Sequence, residues 1–179
     1  MAMQTMAMQT MAMQTLFLMM VIAYAFGVFS SLAGGNRVQG RWLTALGTVV
    51  GASAGIALGI MAMVTATTYT LVVADLLPLV GGLSFHLDRL GVFFLLLIGI
   101  GAIPAAIYGY GYTAGYTGRY SLRLLGMMLN LLLLSISLQV IADNALTFLL
   151  MWEIMSLSAY WLVLTEYDQP GTVRAGVWY

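Results

Sequence analysis

The stretch Ala145–Thr165, ALTFLLMWEIMSLSAYWLVLT, decides the fold: it is a 21-residue apolar run with one charge, Glu153, near its middle. As a helix rising about 1.5 Å per residue, it is long enough to cross a hydrocarbon core of roughly 30 Å. An ionisable group held at that depth costs several kcal/mol, so a chain keeps one there when it is used or paired. Glu153 is therefore a candidate proton carrier. The bland alternative is a carboxyl that stays protonated and hydrogen-bonds to a neighbouring helix.

The rest of the chain agrees with a membrane setting. Of 179 residues, 62% are hydrophobic and only 7% charged, against about 25% charged in a soluble domain. The apolar runs do not alternate with polar residues, so they read as helices and not as barrel strands. The expected fold is an all-α integral membrane protein with five spans and the start of a sixth. Net charge is zero, which leaves no basic footprint for nucleic acid. No cysteine and a single histidine are present. Thiolate metal sites, iron–sulfur clusters and bis-histidine haem are excluded within the chain. No cofactor and no metal are expected here, and any electron carrier would sit on another subunit. All six cationic residues are arginine, with no lysine; arginine does not readily give up its proton.

Residues 1–15 are MAMQT three times over. Five residues advance a helix about 500°, so successive copies fall about 140° apart and build no single face. The repeat also lacks the basic start of a secretory signal. It reads as a non-functional extension, lengthening the first span or fraying beside it, before a membrane domain of residues 16–179. The first span, Leu16–Ala33, ends at Gly34-Gly35-Asn36, by helix-stop chemistry. Trp42 opens the second span, in which Gly47, Gly51, Gly55 and Gly59 recur every fourth residue. That spacing makes one flat stripe on which another helix can pack closely.

Between spans two and three, Thr68–Val73 is strand-like and Leu83–Asp88 alternates apolar with polar. A short extracytoplasmic hairpin is predicted there, broken by Pro78 and Gly81-Gly82. His86 and Asp88 would point the same way on its second strand, as a proton relay or metal ligands, or simply as solvated groups. The third span, Gly91–Tyr110, contains Pro104 and ends among Tyr108, Tyr110, Tyr112, Tyr116 and Tyr120, an aromatic belt. The fourth, Leu124–Ala142, carries Asn130, Ser135, Ser137 and Gln139. After the tight turn Asp143-Asn144 comes the fifth, and Pro170 is placed to begin a sixth helix. Folding spans four and five back to back brings Asn130 and Ser135 to the depth of Glu153. Ser156 shares its helix face, and Asp143 stands at the turn. The same folding sets Arg119 level with Glu166. The loops after odd spans hold Arg37, Arg41, Arg119, Arg123 and Arg174, and the others hold only Arg89. The positive-inside rule then puts the amino terminus and the hairpin outside.

Ala142-Asp143-Asn144, Trp152-Glu153-Ile154-Met155-Ser156-Leu157-Ser158-Ala159-Tyr160, Glu166 and Arg174-Ala175-Gly176 resemble a known superfamily. It comprises the proton-conducting antenna subunits of respiratory complex I, with relatives in membrane-bound hydrogenases and Mrp-type cation/proton antiporters. Phe85, Asp88, Phe93, Phe94 and Tyr108 resemble the approach to its third helix. Among its branches the pattern is nearest to hydrogenase-4 component B, also called formate hydrogenlyase subunit 3. The resemblance covers about residues 80–179. It implies a multi-pass protein of a bacterial or archaeal cell membrane, partnered by other membrane and peripheral subunits of a respiratory or hydrogenase complex. It also implies that Glu153 pairs with a lysine on a later, broken helix. Family members have some fourteen core helices, so this chain reads as the amino-terminal fragment of such a subunit. An antiporter subunit and an inactive structural stub are the alternatives.

Overall fold

Glycines set the closest contacts in the bundle. The computed structural model describes residues 2–65, 69–73 and 82–168, with 171, 172 and 174. Helix α1 (Ala2–Gly34) turns sharply into α2 (Val38–Thr65), and these two share the most extensive contact between elements. On α2 the stripe lies against two neighbours. A Cβ at Gly47 would sit 2.8 Å from the backbone of Gly27, and one at Gly51 would sit 2.9 Å from the Tyr24 ring. Farther along, Gly55 faces Met20 and Leu95, and Gly59 faces Leu96 of the third helix. Without side chains in the way, dispersion contact between main chains replaces the hydrophobic drive that lipid does not supply.

Strand β1 (Tyr69–Val73) pairs antiparallel with β2 (Leu83–Leu87), in register from Tyr69 with Leu87 to Val73 with Leu83. This is the predicted hairpin; Pro78 and Gly81 lie outside the described residues. Helix α3 (Arg89–Tyr112) follows at once, capped by Asp88, whose Oδ1 accepts from the Gly91 N–H at 2.7 Å. The sequence pattern puts His86 and Asp88 together on a strand. Instead the strand ends at Leu87 and Asp88 serves the helix, because a carboxylate satisfies the free N–H groups of a first turn. Pro104 lies inside α3. A 3₁₀ turn, Thr113–Tyr116, leads to α4 (Leu122–Gln139) and then α5 (Ala145–Val163), which closes in a second 3₁₀ turn, Leu164–Glu166. The predicted sixth helix falls mostly outside the described residues.

The chain is mostly helical, and among the described residues five helices are long and apolar enough to cross a membrane. The core gathers Phe17, Met20 and Tyr24 of α1, Leu58 of α2, Leu87 of β2, Leu95 of α3 and Met151 of α5. From Ala2 onward the repeat is helical and continuous with the first span, and Met13 is buried in the core at 1% exposure.

Candidate functional site

Helix α5 is fixed at its start by the hairpin. Asn144 caps it, accepting from the Thr147 N–H at 2.7 Å. The Ser84 N–H donates to Thr147 Oγ1 at 2.9 Å, and the Ser84 hydroxyl donates to Asp143 Oδ2 at 3.0 Å. Main-chain bonds from His86 N to Ile141 O and from Asp143 N to Ser84 O complete the junction. One edge of β2 thus pairs with β1, and the other holds the turn between α4 and α5. A short strand with two free edges is the right part for this, since each edge carries unpaired N–H and C=O groups. Asp143 is therefore a joint between hairpin and helices, at the opposite end of α5's first two turns from Glu153.

From that anchor, α5 buries Thr147, Met151 and Ser158, with Ile154 packed partly against the core. These recur at helical spacing and face α4. Glu153 falls on the other side. It is exposed, in company with Leu149, Trp152 and Leu157. It lies about 12 Å along the helix from Ala145, near the middle of a span that is otherwise apolar. Among the described residues nothing bonds to its carboxyl.

The structure brings the expected supporting residues elsewhere. Asn130 is fully buried against α1 and α2: its Oδ1 accepts from Thr48 Oγ1 at 3.0 Å, and its Nδ2 donates to Gly126 O at 3.0 Å. Gly27 leaves the room, because a Cβ there would lie 2.1 Å from Asn130 Oδ1. Ser135 is buried and donates to Leu132 O. Ser156 borders a cavity of ≈ 430 Å³ between α3, α4 and α5. So Asn130 and Ser135 tie α4 to its own turns and to the α1–α2 pair, and Glu153 stands apart from both. Sequence reasoning missed the Thr48–Asn130 contact. The available signal was Thr44 and Thr48, one turn apart and next to the glycine stripe.

At the arginine-rich end, Arg41 Nη2 donates to Tyr110 O and to Thr113 Oγ1, and its guanidinium lies over the Tyr110 ring at 5.1 Å. The rings of Tyr108, Tyr112, Tyr116, Tyr120 and Tyr167 touch in sequence, 5.1–5.9 Å between centroids. Arg119 pairs with Asp168 at 2.8 Å and not with Glu166, which takes the Tyr116 hydroxyl instead. Both ion-pair partners are well exposed, so the pair itself adds little stability. The Tyr120 hydroxyl, and after it Arg119, hold the Asp168 carboxyl below its ordinary range. The linkage has a definite sign. A lowered folded pKa gives a contribution that is full above the unfolded value of about 3.9 and fades as pH falls through the folded one. The small contribution of Asp168 is therefore expected to be full above about pH 5 and to fade only in stronger acid. In Arg119→Gln the carboxyl titration, followed by NMR at Asp168, should move to higher pH. A midpoint that stays put would show that the arginine does not act on it.

No family model matches the chain. An uncharacterized protein of Mycobacterium tuberculosis is 35% identical over 126 residues, 70% of this chain and 19% of that protein. Hydrogenase-4 component B of Escherichia coli is 28% identical over 97 residues, 54% of this chain and 14% of that protein. The chain spans less than a fifth of the length of either relative. The similarity to hydrogenase-4 component B supports a distant relationship to a membrane subunit.

Proposed function

We propose that the chain forms part of a proton-translocating membrane subunit of a hydrogenase or NADH:quinone oxidoreductase-like complex, with Glu153 as an intramembrane proton carrier. The observation that carries this reading is a lone carboxyl halfway along an apolar helix, turned outward and without a partner among the described residues. A group so placed is costly in lipid and gains nothing from this bundle. It is explained if a further element covers it and brings a cation whose distance can change. A nearby cation favours the charged form and its withdrawal favours the neutral one, so the carboxyl loads and releases a proton. The similarity to hydrogenase-4 component B supports membrane and peripheral subunits of such a complex as partners. The test is redox-driven proton transfer in the assembled complex carrying Glu153→Gln.

The arginine distribution orients the proposal. With Arg37, Arg41, Arg119 and Arg123 cytoplasmic, the hairpin and the amino terminus face outward. The chain has no cysteine, so single introduced thiols report cleanly. In intact cells of its host, Thr70→Cys should react with an impermeant maleimide, and Gly118→Cys should react only after lysis. The reverse pattern would invert the topology.

A further inference from the structure

A trough runs along the bundle between α3 and α5, with α4 as its floor. Three cavities follow one another in it. Toward the hairpin, ≈ 370 Å³ is bordered by His86, Asp88, Phe94, Gln139, Asp143 and Phe148. In the middle, ≈ 430 Å³ lies between Gly101 and Ala105 of α3, Leu133 and Ile136 of α4, and Met155 and Ala159 of α5. At the far end, ≈ 380 Å³ is bordered by Gly109, Tyr112, Leu125, Leu162 and Glu166. From Leu90 to Tyr112 a helix rises roughly 33 Å, the full thickness of a hydrocarbon core. A lipid chain reaches through one leaflet, about half of that, whereas a helix fills the whole length.

The glycines of α3 point the same way. Those turned toward the bundle are filled: a Cβ at Gly99 would lie 2.5 Å from Ile56, and one at Gly91 would lie 2.6 Å from Val140 O. Gly101 and Gly109 would meet nothing within 4 Å. With Ala105 between them they form a small-residue line at four-residue spacing, open on the trough. Such a line lets another backbone approach closely.

The hairpin-side mouth offers acceptors. Asp88 Oδ1 takes the Gly91 N–H and Asp143 Oδ2 takes the Ser84 hydroxyl, which leaves the second oxygen of each carboxylate. Gln139 Oε1 is buried with no donor among the described residues. His86 Nδ1 is engaged by Thr70 Oγ1. Among the described residues no arginine borders this cavity. An ammonium group brings three N–H donors and no acceptor, which matches two carboxylate oxygens and an amide oxygen.

The geometry points to a transmembrane helix from outside residues 1–179 seated in this trough, apolar along its length, with a lysine at its hairpin-side end. This surface is separate from the one carrying Glu153, which stands roughly 160° round α5 from Met155. The chain itself has no lysine, so a carbodiimide coupling at the mouth identifies the occupant. In native membranes holding the full assembly, the expected product joins Asp88 or Asp143 to a lysine of an apolar transmembrane peptide. It should vanish in the Asp88→Asn, Asp143→Asn double variant. A product with an aminophospholipid, a product with the chain's own amino terminus, or no lysine product overturns the proposal. Nitroxides provide a second arm that does not depend on the carboxylates. A label at Gly101→Cys should be immobile and shielded from oxygen, and one at Ile107→Cys, on the outer face of α3, should be mobile and oxygen-accessible. Equal oxygen access at both sites means a lipid-filled trough and overturns the proposal. Loss of proton transfer in Glu153→Gln changes neither readout.

Discussion

Glu153→Gln is expected to reduce redox-driven proton transfer by the assembled complex to the leak of empty vesicles, a loss of about 100-fold or more. The amide keeps the size and the hydrogen-bonding reach of the carboxyl but can neither bind nor release a proton at working pH. Assembly should survive. Among the described residues Glu153 makes no contact that the amide would lose, and an uncharged group at this depth is cheaper than a carboxylate. The separation is measurable: a pH-sensitive dye in proteoliposomes reads transfer, and a native gel reads assembly. Undiminished transfer would remove Glu153 from the proton path. Lost assembly would make it a structural residue.

The second large effect is expected at the α1–α2 contact. Gly47→Val should destabilise the bundle by about 3 kcal/mol or more, beyond ordinary overpacking, because main chain cannot swing aside as a side chain can. A Cβ at Gly47 meets Gly27 Cα at 2.8 Å and Ala23 O at 2.9 Å. Pushing α1 outward also withdraws Gly27 from the Asn130 amide. Gly111→Ala is the control, since a Cβ there would meet nothing within 4 Å. Thermal unfolding in detergent should show a large drop for Gly47→Val and little change for Gly111→Ala. Similar melting of the two would mean that the helices are not in main-chain contact.

Depth was legible in the sequence, and facing was not. Five apolar runs, the alternating Leu83–Leu87 and the four-residue glycine spacing each announce an element, because each periodicity has one structural cause. Helices that are apolar on every side, such as α3 and α5, carry no such mark of which side turns inward. The mid-helix position of Glu153 could therefore be read, but its outward turn could not. Asn130 shows the same limit. It lies at the expected depth on α4, yet α4 touches α5, α1 and α2, and the room left by Gly27 of α1 lets its amide take the Thr48 hydroxyl of α2. Arg119 missed its expected partner by two residues for a local reason. The chain tightens into a 3₁₀ turn at Leu164–Glu166, where each residue advances about 120° and not 100°. That rotation accompanies the presentation of Asp168 to the arginine and of Glu166 to Tyr116. At Asp88 the need to cap a helix overrode the alternation of a strand.

The buried methionine at position 13 makes the chain indifferent to the most frequent accident of a tandem repeat. Adding or deleting one MAMQT unit shifts the helix tip by about 7.5 Å and about 140°. It leaves a methionine four residues before Phe17 in every case, because each unit supplies the same one. Gain or loss of units among natural isolates should thus alter how far the first helix protrudes, while its innermost turn keeps its neighbours.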